Sequence, residues 1–259
     1  MKQLTEKQII ENWDKLMKLI DDTFEDTIDT ERHTRLREMY DYFEDRMSIA
    51  PASGKAHYHN AMVGGYVEHV LHVTNCALKI KKLWEEDGAT INFTDEELIF
   101  AAMHHDLGKV GDLEEDYYIP QDSEWHRKNQ GSIFKHNPKL QYMSVTDRSL
   151  FILQHFGIQM TEWEYIGLRL TDGMYEEANK TYYMNYNPDW SLKSNIAYIL
   201  HQADMMATHI EGDEWNRLDE EANVKVATNM KKAVQTKSDD SDRLKTKSAD
   251  LFEELFGEK

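Results

Sequence analysis

The chain is short of cysteine, proline, glycine and positive charge, and each shortage excludes something. One cysteine in 259 residues, Cys76, rules out an internal disulfide and a thiolate zinc cluster, so a reducing compartment, the cytoplasm, is expected. Four prolines and twelve glycines leave little punctuation for a many-stranded protein. Lys and Arg number 30 against 48 Asp and Glu, a net charge of -18, so most of the surface repels a phosphate backbone. Long nucleic acid is therefore not an expected partner, although a small anion in a local pocket is compatible. No apolar run reaches the roughly 18 residues of a membrane span, and MKQLTEKQIIENW is charged where a signal peptide is apolar. Neither a membrane partner nor secretion is expected.

What is present favours helices. Hydrophobic residues make up 40% of the chain, enough for a core, and they are mixed with Glu, Lys and Gln in long stretches, which predicts an all-α fold. Thr5-Glu6-Lys7-Gln8 reads as a capping box ahead of Ile9, Trp13, Leu16 and Ile20 at helical spacing. Further helices are predicted over 29–47, 60–84 and 145–155, behind the capping box Thr94-Asp-Glu-Glu97, over 161–172 behind a third box, and over 192–210. Between 111 and 143 the periodicity fails; this stretch is expected to be a lid, with a short hairpin around 117–135. The charged tail is predicted to end in a short helix carrying Leu251, Phe252, Leu255 and Phe256. The expected organisation is a helical extension over 1–50, a main domain over 51–211 and a helical tail over 212–259.

On the 60–84 helix, Met62, Tyr66, His69, Val73, Cys76 and Ile80 form one stripe, which points His69 inward, whereas Glu68 and His72 fall on a neighbouring rim stripe. The same stepping places His105 behind Leu98 and Ala102, Asp106 behind Ile99 and Met103, and Asp204 among Ala197, Leu200 and Ala207. A lone inward histidine is usually a satisfied core residue. Three helices that each aim His or Asp inward are different, because a buried carboxylate costs several kcal/mol unless paired or bound to a cation. Shared binding of one divalent ion satisfies them together, and imidazole with carboxylate suits Mn, Fe, Co, Ni, Zn or Mg.

Gly64-Gly-Tyr-Val-Glu-His69, His105-Asp-Leu-Gly-Lys109 and His201-Gln-Ala-Asp204-Met-Met-Ala207 resemble the H…HD…D signature of the HD-domain superfamily of metal-dependent phosphohydrolases. The resemblance covers roughly 51–211. It implies an HD-type helical bundle with His69, His105, Asp106 and Asp204 as metal ligands. It also implies Asp106, His105 and Lys109 in catalysis, with Lys109 at the substrate phosphate. A two-metal version of the family adds histidines in the interval that holds His136 and His155. His155 precedes Gly157 at a helix end, while for His136, in a loop, solvation is the competing reading. By the same resemblance His57 and His59 touch phosphate or cap a helix, and Glu68 echoes the Glu-His pair of small nucleotidases. A homodimer is also implied.

Arg169 and Asp172 form a second polar cluster, read either as a ribose or base contact or as a surface ion pair. Trp125, His126, Arg127 and Lys128 either close over an anion or form a solvated charged loop. The expected activity is hydrolysis of a nucleoside mono- or triphosphate by metal-activated water. Competing readings are a 3′–5′ exonuclease, from the resemblance of PASGKAHYHNAMVGGYVEH to HD-type exoribonucleases, and a cyclic-nucleotide phosphodiesterase. From another class, a binding module with a metal that only staples helices is a further alternative.

Overall fold

Capping and burial together explain why the chain folds where it does. The computed structural model describes the backbone of residues 3–25, 30–56, 58–185 and 187–235, so His57 and the predicted helix carrying Leu251 to Phe256 lie outside the described residues. Two compact units divide the chain, Lys2–Trp215 and, separately, Asn216–Lys259 with Met1. The fold is all-α apart from one two-stranded sheet among the described residues.

Helix α1 (Glu6–Phe24) starts at the Thr5 capping box, in which Gln8 N–H donates to Thr5 Oγ1 at 3.3 Å and Thr5 N–H to Gln8 Oε1 at 2.9 Å. Its inward face buries Trp13, Leu16, Met17, Ile20 and Phe24. α2 (Thr30–Met47) adds Leu36, Met39, Tyr40, Phe43 and Met47 to the same core. Each fully buried Leu or Phe here is worth on the order of 1.5–3 kcal/mol. α3 (Gly65–Glu86) begins five residues later than the periodicity predicts. The cause is backbone: Asn60 and Gly64 both take positive φ, 46° and 78°, which a right-handed helix cannot propagate through.

α4 (Asp95–His104), opened by the Thr94 box, is apolar on every side. Ile99, Phe100 and Met103 enter the core built by α1 and α2, while Leu98, Ala101 and Ala102 face a second core with Val73, Ala77, Ile199 and Leu200. A helix apolar all round is a central one. That position carries its C-terminal His105-Asp106 to the middle of the unit.

A 3-10 turn, Leu107–Val110, follows. β1 (Tyr118–Pro120) and β2 (Phe134–His136) pair antiparallel, with α5 (Glu124–Gln130) between them, a helix that the sequence pattern does not announce. The region predicted as a lid is pinned: Arg46 donates to the carbonyls of Asp112, Leu113 and Glu115, and Ile133 and Phe134 N–H donate to Gly54 O. α6 (Val145–His155) matches its predicted span. α7 (Glu162–Arg169) starts at its box and stops three residues short of prediction, and α8 (Lys180–Tyr183) is one turn. α9 (Ile196–Gln235) begins later than predicted and runs 40 residues, far past the predicted end at 210. No helix of the described residues is long and apolar enough to cross a membrane.

Candidate metal centre

His69, fully buried on α3, is held by an unpredicted partner. Its Nδ1 lies 3.0 Å from Glu211 Oε2, while His72 Nδ1 lies 2.8 Å from Glu211 Oε1, so one buried carboxylate grips two imidazoles. Glu211 stands seven residues beyond Asp204, two turns along the same face of α9, and that spacing is the signal by which stepping the helix further would have found it. His105, beyond the C-terminus of α4, is anchored differently, with Nδ1 2.7 Å from Ala102 O. In both rings the Nδ1 hydrogen goes to an acceptor, which leaves Nε2 with a lone pair.

The two Nε2 atoms converge on two carboxylates. His69 Nε2 is 3.3 Å from Asp204 Oδ1 and 3.6 Å from Asp106 Oδ2; His105 Nε2 is 3.8 Å and 3.5 Å from the same atoms. Both Nε2 atoms are buried without a hydrogen-bond partner. Lone pairs facing carboxylate oxygens in a dry site repel, so the arrangement calls for a cation between them. Two ligand atoms about 2.1 Å from one ion at a tetrahedral angle lie about 3.4 Å apart, close to the separations here. His69, His105 and Asp106 are close enough to hold a metal ion, and Asp204, its side chain 27% exposed, lies within reach of the same two imidazoles. Glu211 with His59 and His69 forms a second set within metal-binding reach.

The charges fit. Lys109 Nζ donates to Asp106 Oδ2 at 2.6 Å, so the three carboxylates around the two imidazoles are offset by one ammonium, and a divalent ion would neutralise the remainder. Burial works against Lys109's charge, but Asp106 outweighs it and raises its pKa. Burial would lift the carboxyls of Asp106 and Asp204, yet Lys109, His105 and His69 hold both below the ordinary range. Glu211 is likewise held down, against burial, at about 2. Burial opposes protonation of His69 too, but Glu211 and Asp204 push it up to about 10, so a proton does the cation's work when metal is lacking.

Neighbouring elements set this geometry. Gly108 N–H donates to Ser149 Oγ at 2.8 Å, and a Cβ on Gly108 would lie 2.1 Å from Val145 O, so α6 packs directly on the turn behind Asp106. His104, adjacent to His105 in sequence, points away, with Nδ1 2.7 Å from Phe100 O and Nε2 3.2 Å from Tyr40 Oη; burial lowers its pKa to about 3. Of this histidine pair, one is core and the other lies in the candidate centre.

The remaining predicted residues divide. His59 joins the centre: its ring centroid is 4.6 Å from that of His69, and burial, His69 and Lys109 lower it to about 4. Glu68 is half-buried on the rim side. Asp172 is exposed as a residue, yet Thr146 Oγ1 donates to its Oδ2 at 3.1 Å, and partial burial of the carboxyl group with the charges of Asp106 and Asp204 raises its pKa. Arg169 does not pair with Asp172; its Nη1 donates to Asn179 Oδ1 at 2.8 Å.

His136 is exposed at the end of β2 against Tyr117, and His155 is exposed between Phe151 and Phe156. Neither belongs to a metal-binding group among the described residues. His155 misses the centre because α6 approaches it through Val145 and Ser149, at the helix's other end. Trp125, 59% exposed, and His126, Arg127 and Lys128 sit on α5, which buries nothing. Compared with protein-family models, curated proteins and solved structures, the chain shows no match.

Proposed function

We propose that this chain is a metal-dependent phosphohydrolase of the HD-domain type acting on a small nucleotide, a nucleoside mono- or triphosphate. One observation carries the reading: two orphaned imidazole nitrogens and two carboxylate oxygens converge beside a partly buried ammonium. The H…HD…D order of His69, His105, Asp106 and Asp204 supports it. A bound divalent ion lowers the pKa of a coordinated water and neutralises charge that builds on phosphoryl oxygens. The chain's own groups do the rest. Glu211 and the Ala102 carbonyl fix the tautomers that present Nε2 as ligand. Lys109, held charged beside Asp106, is placed to bind a phosphoryl oxygen. His59, neutral at physiological pH, is a hydrogen-bond donor for the same anion. The β1–β2 hairpin, pinned to Gly54 O, brings Tyr118 of β1 to the Lys109 side of the centre.

The test is a screen of the purified chain, supplemented in turn with Mn, Fe, Co, Ni, Zn and Mg, against nucleoside mono-, di- and triphosphates, cyclic nucleotides and short oligonucleotides. Turnover of one small-nucleotide class is expected, with a loss of about 100-fold or more in Asp106→Ala at unchanged helical signal. Activity confined to oligonucleotides would move the assignment to an exonuclease. Metal binding without turnover of any substrate would leave a metal-stapled binding module.

A further inference from the structure

A cavity of about 540 Å³ is lined by Met174, Tyr175, Tyr183, Tyr198, His201 and Gln202. Its volume is that of a small-molecule site. The walls are tyrosine rings held at defined angles. Tyr183 and Tyr198 meet edge to face, with centroids 5.1 Å apart at 87°, and Tyr175 lies 5.9 Å from the His201 ring. The Tyr183 hydroxyl is tied down by donation to Leu170 O at 2.8 Å, which fixes its ring as a wall. Tyr175 is 83% exposed and Met174 54%, so a large apolar rim faces outward next to a concave floor.

The cavity is joined to the centre through two elements. On α9, His201 stands three residues before Asp204, one turn away and about 5–6 Å between Cβ atoms. The 3-10 turn Gly173–Tyr175 follows directly on Asp172, whose carboxyl group senses the charges of Asp106 and Asp204. Gly173 permits the join: it takes φ +52°, and a Cβ there would lie 2.4 Å from His201 Nε2. His201 Nδ1 is 2.8 Å from Thr171 O, so this ring presents Nε2 as an acceptor, and Gln202, whose Oε1 accepts from Trp84 Nε1 at 3.2 Å, brings an amide to the same lining. Aromatic walls with an in-plane acceptor and an amide suit a flat heteroaromatic ring with polar edges, not an aliphatic chain.

We infer that this tyrosine cavity binds the base of a nucleotide whose phosphate lies at the metal centre, with Tyr175 as the stacking face. The inference deepens the phosphohydrolase reading by naming the part of the substrate that is recognised away from the reacting bond. A phosphate-free ligand therefore tests it independently of catalysis.

The experiment titrates the full chain, by calorimetry, with adenosine, guanosine, cytidine and thymidine, with the matching monophosphates, and with ribose 5-phosphate, in parent, Tyr175→Ala and Tyr175→Trp. Saturable binding of at least one nucleoside is expected. Tyr175→Ala should weaken that nucleoside and its monophosphate between about 5-fold and 100-fold, leave ribose 5-phosphate unchanged, and be rescued by Tyr175→Trp. Tyr175 is exposed, so its truncation does not threaten the fold. Absence of nucleoside binding, equal affinity in parent and Tyr175→Ala, or an equal loss for ribose 5-phosphate would each overturn the inference. So would self-association abolished by Tyr175→Ala without nucleoside binding, which would assign this face to a second copy of the chain. If nucleosides bind but no phosphate ester turns over, the catalytic reading fails and the base site stands.

Discussion

Glu211→Gln isolates what the buried carboxylate does for the metal centre. The parent carboxylate accepts from His69 Nδ1 at 3.0 Å and from His72 Nδ1 at 2.8 Å while almost fully buried. Glutamine keeps the shape but offers one acceptor oxygen and one NH2 group, so one imidazole must give up its Nδ1 hydrogen. If His69 does, its Nε2 carries a hydrogen toward Asp106 and Asp204 and ceases to be a ligand; if His72 does, His69 still loses a charged partner that raises its basicity. Loss of such a partner typically weakens metal binding by about 10- to 100-fold, on the order of 1.4–2.7 kcal/mol. Cobalt titration followed by visible absorption and calorimetry, on protein with the parent's circular dichroism, reads this directly. An affinity within about twofold of the parent in a folded variant would refute the claim that Glu211 sets the ligand tautomer.

The same groups predict how the metal-free chain responds to pH. His69 is raised from 6.5 to about 10, so its contribution is complete below pH 6.5 and is lost as pH rises toward 10, a swing on the order of 5 kcal/mol. His59 and His104, lowered to about 4 and about 3, act oppositely: the unfolded chain takes up their protons first, so stability falls as pH drops below 6.5. Glu211, lowered from 4.5 to about 2, adds a further loss below pH 4.5. Thermal melts in chelator should peak near pH 6.5, and Glu211→Gln should flatten the alkaline limb; a parent melting temperature constant from pH 6.5 to 10 would contradict the His69 pairing. Separately, Gly108→Ala forces a Cβ to 2.1 Å from Val145 O, and is expected to destabilise the chain by about 2 kcal/mol or more and to weaken metal binding by shifting Asp106. Denaturant melts and the cobalt titration measure both effects, and a parent-like midpoint would show that α6 can yield.

Much of the fold is local physics and is therefore legible in the sequence. The capping boxes at Thr5, Thr94 and Thr161 start their helices where the residue types say they should, because each bond spans three residues. Helical phase likewise places His69 and His105 inward. The sequence reading goes wrong where the backbone leaves the helical region, as at Asn60 and Gly64, or where periodicity runs out, as at α5 and the late start of α9.

Residue types and helical phase by themselves determined an acidic, all-α chain with His69, His105, Asp106 and Asp204 on inward faces. Only the tertiary structure decided which polar residues meet. Glu211 reaches His69 across 142 positions, His136 and His155 stay outside, and three tyrosines from separate stretches wall one cavity. The physical reason is that periodicity specifies the direction of a side chain about its own helix axis, whereas convergence depends on how helices cross, and that is set by the packing of every core side chain together.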